Sequence, residues 1–538
     1  MVQSTKMKRA SFFRLSRMLI SIGFSLAVMV AFSPVKFAHA ASYVPAQFIA
    51  KQYTEALGRA PDQGGWQAQV NYFQSNGCSA DTLASLGRDI FTSSEFNNLG
   101  YDNPAKLLTL YRGALNRELD ADGFNANLTR LDNGTSWSDV VNALFTSSEF
   151  TSLASTICGG GVDGSSSSYY WGTQPPMAIP TSGDGFSGTE DQLQSALDNT
   201  PSGGTVYLTQ KTLVLLSSAL TIPAGVTLST TGQPDNPHYA LMGRLSRIPG
   251  NTPFGGPAVL LKDGAKLLNV WVDGQRDQPG NDNSGNNPSQ NIRLLGGTGT
   301  TVSNSRSTNT AGPSSLETYG SLDGDPCGSN TITNNLITAY SSDNYIANKW
   351  TDGISDHCEN SDVENNQIVD ATDAAIVTFE ASTVAQKSKV ANNTILSAGN
   401  SIYWGIDADP LTTTYGHNNL SFSGSSFDHN TLWTGPNTHF DIAVAAGTRE
   451  IFGDNANTGT GASFTSNTTG SLSARVTTGI AVAGMLDVNI ADNSFQFVRV
   501  AANSCPDADV AAEVAAGHAS GTIPSPYTDT LFDNCNHY

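Results

Sequence analysis

Residues 331–335 read TITNN, residues 362–366 read DVENN and residues 389–393 read KVANN. The shared signature is an apolar residue, two further positions and a polar residue that is usually Asn. It recurs at 302–305, 332–335, 363–366, 390–393, 427–430, 464–467 and 490–493. From the second occurrence onward the spacings are 31, 27, 37, 37 and 26 residues. Such intervals accommodate three short strands joined by turns of variable length, so the chain is expected to wind into coils that each rise by one strand spacing, about 4.8 Å. The Val, Ile and Phe that open each signature then stack inward as a continuous core. Asn returning at one place in the coil is read as structural, either as a side-chain ladder or as a residue that tolerates left-handed backbone in a tight turn.

Working outward, residues 186–228 hold a short amphipathic helix (Leu193, Ala196, Leu197), then GGTVYL at 203–208 and LTIPAGVTL at 220–228. This opening resembles that of the pectate-lyase-like right-handed parallel β-helix superfamily, where a capping helix precedes a stack of short strands. The expected fold class is therefore an all-β right-handed parallel β-helix, a solenoid, over 186–500. A small all-α domain precedes it. A β-sandwich array is the alternative, but it calls for hairpin dipeptides and clean alternation over longer strands. Residues 501–538 depart from the repeat and are expected to cap the last open coil.

Residues 43–158 show helical spacing and an internal repeat. YTEALGRAPDQGGW at 53–66 matches YRGALNRELDADGF at 111–124 with an offset of 58, and FTSSEF at 91–96 recurs at 145–150. In each copy an Arg (Arg59, Arg117) precedes an Asp followed by Gly, a turn and helix-start signal. The L-G-R-x-P-D and S-x-E-F motifs resemble those of a phycobilisome-linker-like helical domain of unknown function (4214 type), often appended to bacterial exported proteins. The resemblance implies attachment or assembly with other exported proteins and no chemistry. Asp120, Asp122 and Asp132 lack the spacing and the closing Glu of a calcium loop, so helix capping is expected of them. Arg59 and Arg117 read as ion-pair or capping partners. Residues 159–185 are rich in Gly, Ser and Pro, a flexible linker from which two separable modules are expected.

The 538 residues carry 47 acidic and 27 basic groups, a formal charge of −20. That balance argues against nucleic acid and anionic membranes as partners. Charged residues are only 14% and glycines number 52, which disfavours bundles and coiled coils for most of the chain, while 38% hydrophobic residues suffice for a sizeable core. Residues 1–40 read as a signal peptide: Lys6, Lys8, Arg9, Arg14 and Arg17 precede an apolar run, and Ala38, His39 and Ala40 give the small-x-small cleavage pattern. An uncleaved anchor is the alternative. The expected location is secreted, extracellular or periplasmic, in a bacterium. Six cysteines follow the signal and allow fifteen connectivities. Neighbouring couples give Cys78 with Cys158, Cys327 with Cys358, and Cys505 with Cys535. No C-x-x-C spacing points to zinc.

Candidate chemistry concentrates at 350–380, WTDGISDHCENSDVENNQIVDATDAAIVTFE, the most acid-dense stretch of the repeat. Asp352 in TDGI and Asp373 in TDAAI stand at the start of what reads as the same strand in adjacent coils. Stacked there, two carboxylates about 5 Å apart suit a double-displacement glycosidase, and a wider gap suits direct attack by water. Aligning Ile354 with Ile376 instead sets Asp352 opposite Ala374, and a further alignment puts Asp343 in the column. The bland reading is that Asp before Gly or after Thr is a turn residue. Asp356, His357, Asp370 and Glu380 are candidates to assist the pair, and Asp407 and Asp409 to extend a groove. Tyr345, Trp350, Tyr403, Trp404 and Trp433 are candidates to stack on sugar rings or to fill the coil. His417, His429 and His439 have no metal-ligand partners at useful spacing.

The polygalacturonase set (N-x-D, D-D, G-H-G, R-x-K) and the D-P-H-D of alginate epimerases are absent. Lyase chemistry needs a basic residue to take a proton beside a carboxylate, with calcium or Arg to neutralise that carboxylate. Few basic residues lie near the acid cluster. The expected function is an exported carbohydrate-active protein, a glycoside hydrolase acting on an extracellular polysaccharide or oligosaccharide. The alternatives are a polysaccharide lyase and a non-catalytic surface or adhesion glycan-binding protein. No cofactor is required by the hydrolase reading; calcium enters only as a bridge between this acidic chain and a polyuronate.

Overall fold

The computed structural model describes residues 43–159, 175–232, 238–248, 256–275, 290–320, 327–338, 351–379, 386–410, 420–447, 459–482, 485–499 and 519–521. The expected signal peptide and the Cys505–Cys535 couple lie outside these residues, as does most of the linker. Among the described residues from Thr205 onward the chain winds through three parallel sheets of 12, 8 and 10 strands, visiting them in rotation. One coil runs from Thr331–Thr333 in the first sheet through Leu336–Thr338 in the second to Asp352–Asp356 in the third. The next begins at Asp362–Glu364, in register with Thr331–Thr333. Crossovers between parallel strands are right-handed almost without exception, which makes this a right-handed parallel β-helix.

Most first-sheet strands are three or four residues long, Leu420–Asp428 and Gly459–Thr465 being longer, and the signature strands bury their apolar residue. Val302, Ile332, Val363, Val390, Phe427, Phe464 and Ile490 form one inward column. The rings of Phe427 and Phe464 stack at 4.4 Å. In the third sheet the inward column is Ile292, Leu316, Ile354, Ile376, Ile406, Val444 and Ile480. Burying each such side chain contributes about 1.5–3 kcal/mol.

The Asn column answers both structural readings, at neighbouring positions. The residue before the last one in each signature takes left-handed backbone: Asn304, Asn334, Asn365, Asn392, His429, Ser466 and Asp492 have φ between 49° and 58°. The last residue forms the ladder. The side-chain amides of Asn335, Asn366, Asn393, Asn430 and Asn467 each donate to the Oδ1 of the next Asn at 2.9–3.1 Å. The same Oδ1 also accepts the backbone N–H of the preceding Asn. A helix, Glu190–Asp198, closes the first coil with Leu193 and Leu197 in the core, and its capping box joins Thr189 to Gln192. At the far end Ala519–Gly521 adds one more strand to the first sheet.

The helical region spans Ala46–Cys158 and is closed by a disulfide between Cys78 and Cys158. Its two copies share an internal latch. Arg59 pairs with Glu95 at 2.7 Å and Arg117 with Glu149 at 2.5 Å, while Asp62 and Asp120 cap the following helices. Gly58 and Asn116 end the preceding helices in left-handed backbone.

The two modules are not held by the linker alone, contrary to the expectation from its composition. The helical region lies against the outer face of the second sheet, and Trp271, Val369, Leu396 and Trp433 of the coils share one hydrophobic cluster with the helices. The interface also buries charge. Glu55 pairs with Arg112 at 2.7 Å and with Arg306, and Glu118 pairs with Arg112 and, at 2.8 Å, with Arg244, which also meets Asp273. Arg244 stacks 3.9 Å over Trp271 and Arg306 3.8 Å over Tyr239. Burial alone would raise the Glu55 pKa, but Arg112 and Arg306 overcome it and hold the carboxyl down at about 2. The docking residues Arg112, Glu55 and Glu118 occupy positions where the two copies differ: Thr54, Gly113 and Ala60 stand opposite them.

Breaking a buried ion pair from one side leaves its partner charged and unsatisfied. Glu55→Gln is expected to destabilise the native chain by about 3–5 kcal/mol in urea titrations. A nick in the Gly/Ser segment is expected to leave both fragments co-eluting in gel filtration. Separation of the fragments, or a cost for Glu55→Gln near zero, would show that the interface is not what joins the modules.

Candidate active site

The third sheet carries the acid-dense stretch. Its strands Asp352–Asp356 and Ala374–Phe379 pair with Ile354 opposite Ile376, so Asp352 faces Ala374 across the ladder and Asp373 stands one residue earlier. The same-column reading of Asp352 and Asp373 is thus corrected by one residue. They are nonetheless neighbours: the Asp352 Oδ1 accepts from Ala374 N at 3.0 Å, and the Asp373 amide donates to the Thr351 carbonyl at 3.2 Å. The glycine in TDGI has a packing reason. A Cβ on Gly353 would lie 2.4 Å from the Ala375 oxygen and 2.9 Å from the inward Ile368 side chain. Position 353 therefore packs against the core like its neighbour Ile354, so the strand does not alternate strictly at its start, and Asp352 is placed by its contact with Ser355. Ser355 Oγ reaches Asp352 Oδ2 at 2.7 Å and Ser314 Oγ at 2.7 Å.

Burial raises the Asp352 carboxyl above the usual carboxylate range, and Glu317 adds to the shift. Asp373 is raised well above that range by burial first and by the Asp352 charge next. Two desolvated carboxylates, one raised further by the charge of the other, resist double ionisation, so the pair retains a proton where exposed aspartates hold none.

Glu317 was not among the residues singled out in the sequence. It sits on Ser314–Tyr319, one coil earlier, opposite Ser355, and is ion-paired with Arg293. The signal was available: placing Leu316 in the Ile354 column puts Glu317 beside the cluster, but the offset of 38 residues hides the alignment. His357 stacks on Phe379 at 4.2 Å, with Nε2 4.0 Å from Glu317. Burial, with Arg293 nearby, pushes its pKa down to about 3, so the ring is neutral at neutral pH.

Other candidates are committed elsewhere. Asp356 is fully buried and accepts from Thr318, Ser361 and Ser388 at 2.7–3.0 Å, tying the corner next to the Cys327–Cys358 disulfide. Asp370, expected at the substrate, is fully buried under the helical region. It accepts the amides of Ala398, Gly399 and Asn400 at 2.6–3.3 Å and has φ 61°. Burial raises its pKa to about 6 against the pull of those bonds. Trp404, also expected to meet sugar, belongs to the core cluster with Tyr403 against it at 4.5 Å; Trp433 lies in the docking interface. Asp407 and Asp409 are buried on the next strand, opposite Val377 and Phe379. Tyr345, Trp350, Glu380, Asp343 and His417 lie outside the described residues. Among the described residues no His, Cys, Asp and Glu cluster has the form of a metal site.

Within the helical region, residues 87–154 match the family model described as "Domain of unknown function (DUF4214)". No curated protein matches the sequence. Among solved structures, an alginate lyase from Paenibacillus sp. str. FPU-7 is similar at 14% identity and a TM-score of 0.35, over 55% of this chain and 97% of that one. An endo-xylogalacturonan hydrolase from Aspergillus tubingensis is similar at 13% identity and 0.36, over 63% and 93%. A tailspike protein mutant of E. coli bacteriophage HK620 in complex with pentasaccharide is similar at 13% and 0.35, over 58% and 63%.

Asp352 and Asp373 bind protons in the native chain at pH values where the unfolded chain has lost them. Their stabilising contribution is therefore complete below the unfolded carboxylate pKa, about 4, and is lost as pH rises through the raised native values. Asp352→Asn stays neutral throughout. Its urea midpoint relative to the parent is expected to rise between about pH 4 and about pH 8. A pH-independent difference would place the Asp352 carboxyl in the ordinary range.

Proposed function

We propose that the chain is an exported glycoside hydrolase acting on a polysaccharide or oligosaccharide through Asp352 and Asp373. One observation supports this reading: Asp352 and Asp373 stand at the starts of paired strands in adjacent coils, both are desolvated, and the charge of Asp352 raises Asp373 further. One carboxyl then donates a proton to the leaving oxygen, and the other acts as nucleophile or as base toward water. Glu317 with Arg293 and the neutral His357 shape the charge beside the pair. Tyr345, Trp350 and Glu380 remain proposed sugar contacts on the segments adjoining the same strands. The helical region, read from its motifs as an attachment unit, is proposed to act in cis, since the surface it uses here faces the coils. The Cys78–Cys158 and Cys327–Cys358 disulfides support an oxidising, exported setting.

A glycan panel with product analysis tests the proposal. New reducing ends without unsaturated products are expected, and Asp352→Asn and Asp373→Asn are each expected to lower turnover by about a hundredfold or more with the fold retained. Unsaturated uronate products would replace hydrolysis with elimination. Binding without turnover across the panel, or near-normal turnover in both variants, would remove the pair from catalysis.

A further inference from the structure

Two and three coils beyond Asp352, the corner between the second and third sheets brings Ser401 together with His439 and Asp441. Ser401 Oγ lies 2.9 Å from His439 Nδ1, and His439 Nε2 lies 3.3 Å from Asp441 Oδ1. His439 and Asp441 are two residues apart, so they fall on one side of their strand, and Ser401 reaches them from the preceding coil. In the neutral ring an Nε2–H directed at the carboxylate leaves Nδ1 to accept the serine proton. The imidazole and carboxylate are 22% and 20% exposed, and Ser401 is partly exposed, so solvent and small reagents reach the group.

The corner is unusually well supported. Asp370 holds the turn leading to Ser401 through the amides of Ala398, Gly399 and Asn400, and Gln47 of the helical region donates to the same carboxylate. Thr438 Oγ1 donates to the Ser397 carbonyl at 2.6 Å, joining the two turns. Asn437 in turn donates to the Val44 carbonyl at 3.2 Å. The His439 amide donates to Ser401 Oγ at 3.2 Å, which fixes the hydroxyl oxygen and leaves its proton for the ring. Held rotamers on clamped turns are what a nucleophile–base pair needs.

We propose that Ser401, His439 and Asp441 form an acyl-transfer site for small carboxylic esters, with Ser401 as nucleophile, His439 as general base and acid, and Asp441 orienting the ring. Ser401 Oγ bonds to the ester carbonyl carbon as its proton passes to Nδ1. The alkoxide leaves with that proton, giving an acyl-serine. Water then adds to the acyl carbon, again losing a proton to Nδ1, and the carboxylic acid departs as Ser401 recovers the proton. On a sugar chain the corresponding substrate is an O-acyl ester, and removing it needs neither Asp352 nor Asp373.

The probes are a fluorophosphonate and p-nitrophenyl acetate, applied to the full exported chain. Phosphonylation needs the same activated hydroxyl as acyl transfer, so it tests Ser401 as the nucleophile. A single adduct on the peptide holding Ser401 is expected, lost in Ser401→Ala. Ester turnover is expected to fall by about a hundredfold or more in Ser401→Ala and His439→Gln, and by at least about tenfold in Asp441→Asn, where the amide disturbs the ring's tautomer. Unchanged thermal unfolding of Ser401→Ala separates lost chemistry from lost fold. No adduct on Ser401, or equal ester turnover in Ser401→Ala and the parent, would overturn the proposal. Glycan cleavage is read out separately, so either activity stands or falls without the other.

Discussion

Register between successive coils is the constraint on which the rest of the molecule depends, and the buried Asn column enforces it. Each Oδ1 takes two N–H groups of the preceding coil, and each side-chain amide finds the carbonyl of an inward residue one coil back, as Asn366 does with Ile332. A slip of one residue strands several buried polar groups per coil, at about 1–3 kcal/mol each. The first sheet cannot drift, and because only two residues join it to the second, neither can the next. The third sheet inherits that alignment. Its register is what sets Asp352 against Ala374 and Glu317 against Ser355.

The architecture was legible because it repeats. Seven copies of one four-residue pattern, two copies of a helical unit and cysteines in neighbouring couples all survive variation in the turns between them. The site was legible only in part. Asp352 and Asp373 were read as one column, with the Ile354–Ile376 alignment as the alternative; that alternative is the pairing found, and it offsets them by one residue, which the sequence alone could not decide. Glu317 was hidden by the variable third corner. Asp370 and Trp404 carry the right chemistry for a groove, yet burial assigns one to a turn and the other to the core. The docking of the helical region was invisible for a different reason: its residues are few, scattered among Glu55, Arg112, Glu118, Arg244 and Arg306, and a flexible linker says nothing about surfaces elsewhere.

Two sets of buried acids show how much the surroundings decide. Glu55 lies in the interface with no exposure, yet two guanidiniums keep it ionised far below the usual range. Asp352 and Asp373 meet another carboxylate instead, and burial drives them upward. The same desolvation cost thus yields a permanent anion that joins modules in one place and a proton-holding pair in the other. In the interface Glu55, Glu118 and Asp273 face Arg112, Arg244 and Arg306.

The helical region touches the coils over a long stretch of the solenoid axis, from Arg244 near its start to Ser471, whose amide donates to Gln63, near its end. Solenoids otherwise lose structure from the ends inward, because each repeat contacts only its neighbours. A rigid strut fastened at both ends and along the middle removes that freedom: a terminal coil cannot peel away without also loosening contacts many coils distant. The array is thereby converted from a nearest-neighbour stack into a single cooperative body, and its corner turns share the stability of the whole.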